Sequence, residues 1–205
     1  LDTNKRGNWM TDKSSVLDWE HLSSTYDPDA GLLLFDKRID RLRNPRNQQV
    51  FDRLVLESVD WVNMVAVDPH GCCVMIRQYR FGVGYTTLET PGGMVDPGEN
   101  SKEAAQRELL EETGYVSDRW QYLGAVEPNP AFHNHLCHHW LAQDAYLQDA
   151  QNLGEGEMIE VELMSEDQVR DAVASGELRH ALALSALSRV YQLWPLPFVA
   201  QDHPA

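Results

Sequence analysis

Apolar residues recur along this chain with two periods. From Trp61 to Val67 they form an almost unbroken run, which predicts a strand buried on both faces, and Asp68-Pro-His-Gly71 supplies its turn. Cys72 to Arg77 then pairs back as the second arm of a hairpin. Thr86–Thr90, Trp120–Val126 and His138–Ala142 read as further strands, and Glu160–Met164 alternates as a half-buried strand does. Upstream, Leu32–Phe35 and Val50–Leu56 predict short strands, punctuated by Asp27-Pro28 and Asn44-Pro45. Three segments are helical. Lys102–Thr113 is rich in strong helix formers, and Ser165-Glu-Asp-Gln168 is a capping box that opens a helix ending near Gly176. A stripe of Leu182, Leu184, Leu187, Val190 and Tyr191 predicts a last helix from His180 to about Leu193, ended by Pro195 and Pro197. Strands, helix, strands, helices is the order of an α/β fold with a mixed sheet between helical layers. Residues 1–59 form a β-rich N-terminal segment, its first 14 or so residues polar and expected to be mobile, and residues 60–205 form the main domain.

The middle helix carries the most unusual charge pattern. Asn100 or Ser101 can cap it, Glu103 can close a capping box onto Asn100, and Gly114 stands where a left-handed C-cap belongs. Glu108, Glu111 and Glu112 fall at i, i+3 and i+4, which places three carboxylates on one face. Like charges one turn apart repel by roughly 0.2–0.5 kcal/mol per pair, and the last turn of a helix prefers cations. A hard cation such as Mg²⁺ or Mn²⁺ would compensate both penalties.

Composition narrows the partners. The 205 residues carry a net charge of −15, which opposes passive attraction to nucleic acid or an anionic membrane. A phosphate-bearing substrate would be repelled too, unless bound metal inverts the local field. Cys72, Cys73 and Cys137 follow no metal-ligand spacing. Cys72 and Cys73 would point to opposite faces of a strand, so reduced thiols and a cytoplasmic setting are expected. No apolar run approaches the roughly 18 residues of a membrane span, and no signal peptide is seen.

Gly93 to Glu99, seven spacer residues, and Arg107-Glu-Leu-Leu-Glu-Glu-Thr-Gly-Tyr115 together resemble the Nudix box, G-x5-E-x7-R-E-U-x-E-E-x-G-U, where U is bulky and apolar. Every fixed identity is in register; only Tyr115 departs, as an aromatic where an aliphatic is commoner. The resemblance implies the Nudix α/β/α sandwich and metal-dependent cleavage of nucleoside diphosphates linked to a second moiety. It implies metal ligation by Glu108, Glu112 and the Gly92 carbonyl, and a supporting role for Gly93, Glu99, Arg107 and Gly114, with Glu99 pairing to Arg107.

Flanking residues resemble the ADP-ribose and nucleotide-sugar pyrophosphatase branch. Gln78-Tyr-Arg80 with Leu88-Glu-Thr-Pro-Gly-Gly93 echoes its Q-Y-R and E-x-P-x-G elements, and Pro130 lies fifteen residues beyond Tyr115, the position associated with this branch. The resemblance implies substrate contacts from Arg80, Met94 and Pro130. It also implies a general base and a further metal ligand from the loop Leu153–Glu157, here Glu155 and Glu157 respectively, with Glu111 the next candidate base. The N-terminal segment would help to form a homodimer and reach the partner's substrate. Products would be a nucleoside monophosphate and a sugar phosphate. Hydrolysis of another nucleotide (a dinucleotide or a triphosphate) remains an alternative, as does a non-catalytic nucleotide sensor, although a sensor would favour an eroded carboxylate set. His133, His135, His138 and His139 also cluster in sequence, though histidines at alternating strand positions are more often packing residues than ligands.

Overall fold

The computed structural model describes residues 19–27 and 34–194. The chain divides into two units, one ending at Ser58 and including Ala131–Asn134, the other comprising Val59–Pro130 and the residues from His135 onward. The N-terminal unit is an antiparallel sheet in the order β1 (Glu20–Asp27), β2 (Asp36–Arg43), β3 (Val50–Glu57). β3 coincides with the expected strand. β1 and β2 do not follow an apolar pattern: β2 reads DKRIDRLR and is held by charge. Arg38 on β2 bonds Asp40 through Nε at 2.9 Å and also pairs with Glu57, while the Ser24 hydroxyl donates to Asp40 at 2.7 Å. Leu34 and Phe35 precede β2 instead of forming a strand, and Leu32, Leu33 and the first 14 residues lie outside the described residues.

The second unit is built on a mixed sheet. Its strands are β4 (Trp61–Val67), β5 (Cys73–Arg80), β6 (Tyr85–Glu89), β7 (Gly92–Met94), β9 (Arg119–Val126), β10 (Cys137–Gln143) and β12 (Ile159–Met164). The order is β12-β5-β4-β10-β9, with β6 paired to β5 and β7 to β4, and only β10 and β4 run parallel. A separate two-stranded ladder joins β8 (Tyr115–Val116) to β11 (Tyr146–Leu147). β4 and β5 pair only at Ala66–Val74 and Val67–Cys73. Beyond that point β4 turns to β7 and β5 to β6, and the sheet splits.

Helices cover both faces. β4 sends Val62, Met64 and Ala66 into a core with Ala104, Ala105 and Leu109 of α1 (Ser101–Thr113). Val65, from the other face, packs with Val169 and Ala172 of α2 (Glu166–Ala174) and with Ala183, Ala186 and Leu187 of α3 (Ala181–Leu187). This is the α/β sandwich expected, with one correction. α3 stops at Leu187, not near Leu193, and continues as turns in which Arg189 and Val190 bond back three residues to Ala186 and Leu187. The sequence Ser-Arg-Val-Tyr has weak helix propensity on balance, so packing of Val190 and Tyr191 onto the core decides the backbone there. Pro195 and Pro197 lie outside the described residues.

Candidate active site

α1 is positioned by the caps its sequence encodes. The Asn100 side chain accepts from the Lys102 and Glu103 N–H groups, and Glu103 returns a bond to the Asn100 N–H. Gly114 closes the helix at φ 75°, in the left-handed region that disfavours a Cβ. Ala105, Leu109 and Glu112 occupy i, i+4 and i+7 and are all buried. Thus a carboxylate stands on the core-facing stripe of the helix, where an apolar residue would ordinarily sit.

Glu112 is only 5% exposed, and its Oε2 accepts the Gly92 N–H at 2.9 Å. Burial, with the neighbouring Glu108 charge adding to it, pushes its carboxyl up to about 8. Glu108 is pushed up as well, mainly by burial. Its carboxylate lies against the backbone of Gly93, where a Cβ would come within 2.2 Å of Oε1. A side chain at Gly93 would therefore displace the Glu108 carboxylate, whereas one at Gly92 would meet the Val62 carbonyl at 2.4 Å and so clash with backbone. Glu111 is the more exposed neighbour: its Oε2 receives Arg107 Nη1 at 3.1 Å, and the same Nη1 donates to Glu108 at 2.8 Å, so Arg107 bridges the two carboxylates.

Arg107 gathers the loop before the helix. It donates to the Met94 carbonyl at 2.9 Å, to both oxygens of Glu99 at 2.7 and 3.3 Å, and to Glu108 at 2.8 Å. Glu99 also accepts the Asp96 N–H at 2.7 Å. The Glu99 bond is the chief reason the Arg107 guanidinium holds its proton more tightly than usual.

A second strap crosses the end of α1. The Gln151 side-chain amide donates to the Glu112 carbonyl at 2.6 Å and to the Ile159 carbonyl at 3.1 Å, while Asn152 N–H bonds the Glu111 carbonyl at 2.9 Å. These bonds fix both ends of the loop that carries Glu155 and Glu157. Glu157 accepts the Gly154 N–H at 2.9 Å, and its charge acts on Glu108, Glu112 and Arg80. Glu155 is exposed at the loop turn. Gln151 had no sequence signal, because its partners are backbone carbonyls on two other elements.

Arg80, the last residue of β5, forms a two-point pair with Glu89 at 2.8 and 2.6 Å. Glu112 and Glu157 are the other carboxylates that raise its affinity for its proton. Met94 is half-buried at the end of β7, and Pro130 is exposed. The histidines do not converge. His133 stacks on Phe35 in the N-terminal unit. In the second unit His135 lies 4.1 Å from the Trp61 ring, and His138 joins Tyr122 at 2.9 Å and Asp60 at 3.1 Å. His139 is fully buried, and both its ring nitrogens lack a hydrogen-bond partner among the described residues.

The donors suit a divalent cation. They are hard oxygens, and two of them belong to the Glu108 and Glu112 carboxyls, one half-buried and one buried, that desolvation drives toward protonation and that a cation would return to the charged form. Among the described residues no three acidic, histidine or cysteine side chains converge as a ready cage. Mg²⁺ does not require one, since it takes one or two carboxylates and fills its remaining positions with substrate oxygens and water.

Four similarities to known proteins bear on this geometry. The family profile described as NUDIX domain matches residues 59–184. An ADP-ribose pyrophosphatase of Bacillus subtilis is 29% identical over 142 residues, which is 69% of this chain and 77% of that protein. An ADP-ribose pyrophosphatase of Mycobacterium tuberculosis is 34% identical over 110 residues, 53% of each chain. Among solved structures, the crystal structure of an ADP compounds hydrolase superposes with a TM-score of 0.74 at 23% identity, covering 87% of this chain and 95% of that one, a likeness of fold.

Proposed function

From the premise that this chain belongs to the NUDIX family, we propose that it hydrolyses the pyrophosphate bond of ADP-ribose or a related nucleoside diphosphate sugar. The products are a nucleoside monophosphate and a sugar phosphate. The observation that carries this reading is the pair of half-buried Glu108 and buried Glu112, held against Gly93 and Gly92 within the electrostatic reach of Arg80 and Glu157. The two pyrophosphatases described above support the choice of substrate.

Glu108, Glu112, Glu157 and the Gly92 carbonyl would hold the ion, with Mg²⁺ the first choice and Mn²⁺ the second. When bound, it supplies the positive charge that offsets charge developing on the phosphoryl oxygens. Arg80, Met94 and Pro130 bind and orient the substrate. Glu155 takes the proton of the attacking water once its loop closes, with Glu111 as the second candidate. Gly93, Glu99, Arg107 and Gly114 keep the loop and helix in place.

A homodimer through the N-terminal unit belongs to the same reading, and the exposed Val50 and Leu54 on one side of β3 suit such a contact. So does a cytoplasmic setting, since Cys72, Cys73 and Cys137 are all free thiols. No helix among the described residues is long and apolar enough to cross a membrane.

Turnover of ADP-ribose, GDP-mannose, UDP-glucose and dGTP, each with Mg²⁺, tests the proposal. We expect the highest kcat/KM among the nucleoside diphosphate sugars. A clear advantage for dGTP would remove the substrate assignment.

A further inference from the structure

Glu89 ends β6 and is completely buried, yet its charge is fully engaged. Arg80 Nε–H donates to one carboxylate oxygen at 2.8 Å and Nη2 to the other at 2.6 Å. The Thr87 hydroxyl also donates to Glu89, and His180 Nε2 stands 3.5 Å from Oε2. The β5–β6 register sets Arg80 opposite Tyr85, Gln78 opposite Thr87 and Ile76 opposite Glu89. Arg80, Thr87 and Glu89 therefore share one face of the hairpin, and the long Arg80 side chain reaches along that face to the buried carboxylate.

The pair is asymmetric in a telling way. The Glu89 side chain is 1% exposed, and that of Arg80 is 41% exposed. Burying a carboxylate is costly, and an apolar residue of similar size would often hold the hairpin equally well. What the pair secures is orientation. Side-on engagement consumes Nε–H and one Nη2 hydrogen and leaves both Nη1 hydrogens and the outer Nη2 hydrogen as a free fork. Such a fork matches two oxygens of a phosphate. Burial pulls Glu89 upward, but the bonds from Arg80, with His180 and Thr87, outweigh it and hold the carboxylate charged.

We propose that Glu89 is a positioning residue for substrate binding: braced by Thr87 and His180, it fixes the Arg80 guanidinium so that its free fork receives the substrate diphosphate. This inference rests on the functional reading above, in which Arg80 contacts the substrate. Glu89→Gln keeps the volume but replaces one acceptor oxygen with an amide that faces the Arg80 donors, so the two-point pair is lost.

A double-mutant cycle with ADP-ribose and Mg²⁺ tests it, using Glu89→Gln, Arg80→Lys and the double variant. We expect Glu89→Gln to raise KM on the order of 10–100-fold, as misplacement of a binding group does. The kcat should stay within about threefold, and the Mg²⁺ concentration for half-maximal activity should not move. In the Arg80→Lys background the same change should add less than about threefold. If Glu89→Gln does not fold, Thr87→Val loosens the same carboxylate and should raise KM in the same direction, by several-fold. Multiplicative losses in the double variant, or a fall in kcat with KM unchanged, would overturn the inference while leaving the functional reading intact. A wild-type protein that leaves ADP-ribose uncleaved overturns that reading and this inference together.

Discussion

Glu112→Gln should make the protein more stable and nearly inactive at once. In the metal-free protein burial raises the Glu112 carboxyl from its ordinary 4.5 to about 8. A folded-state value above the unfolded one means that the fold favours the protonated form. Its stabilising contribution is complete below pH 4.5 and is lost as the pH rises through 8. At pH 7 the unfolded chain ionises freely while the folded one resists, a difference of about 3 kcal/mol against the native state. Glutamine carries no such penalty, and its amide oxygen can still accept the Gly92 N–H that Glu112 Oε2 now accepts. In EDTA at pH 7 the variant should therefore gain about 3 kcal/mol, or roughly 6–12 °C in Tm for a protein of this size. The gain should shrink below about 1 kcal/mol at pH 5. Turnover should fall on the order of 10³-fold or more, because the cluster loses an anionic ligand. Denaturant titration in EDTA at both pH values, with Mg²⁺-dependent turnover of ADP-ribose, gives all of these quantities. A variant that is destabilised at pH 7, or that retains activity within tenfold, refutes the reasoning.

Glu155→Gln should lower kcat about 10²–10⁴-fold with little change in KM, the signature of a lost base, whereas Glu157→Gln should raise the Mg²⁺ needed for half-maximal rate. Loss of substrate affinity alone in both variants would make the loop a binding lid and pass the base role to Glu111. His139 should make the fold acid-sensitive. Burial lowers its ring to about 4, and the Arg189 and His138 charges assist. This folded-state value is below the unfolded 6.5, so the contribution is present above pH 6.5 and is lost as the pH falls toward 4. The loss is on the order of 3 kcal/mol, and His139→Leu should show a correspondingly flatter stability profile between pH 6.5 and 4; parallel profiles would count against it.

The parts legible in the sequence were those fixed by local rules. Asn100, Glu103 and Gly114 bound α1 because capping is decided within one turn, and both the N-terminal box and the left-handed C-cap are present. The second capping box, Ser165 with Gln168, was readable for the same reason. β2 was not, since it is held across strands by Arg38 to Glu57 and by Ser24 to Asp40 and has no apolar alternation to detect. Helical spacing put Glu108, Glu111 and Glu112 on one face, but could not show that Arg107 bridges Glu108 and Glu111 while Glu112 continues the buried stripe of Ala105 and Leu109. That stripe was readable in principle from the i, i+4, i+7 spacing. The E-x-P-x-G element marked Glu89, but its pairing with Arg80 was beyond reach, as was Gln151, because each acts through partners that only the folded hairpin and the strap over α1 bring near. Four histidines close in sequence went to four separate environments: His133 and His135 lie before β10, and His138 and His139, adjacent within it, face opposite ways.

Phosphorus NMR of the reaction with ADP-ribose is the most direct test of the pyrophosphohydrolase assignment. With Mg²⁺ the diphosphate signals should be replaced by those of AMP and ribose 5-phosphate in equal amounts; EDTA should stop the reaction and added Mg²⁺ restore it. An intact diphosphate under these conditions, or cleavage that leaves the pyrophosphate bond whole, would contradict it.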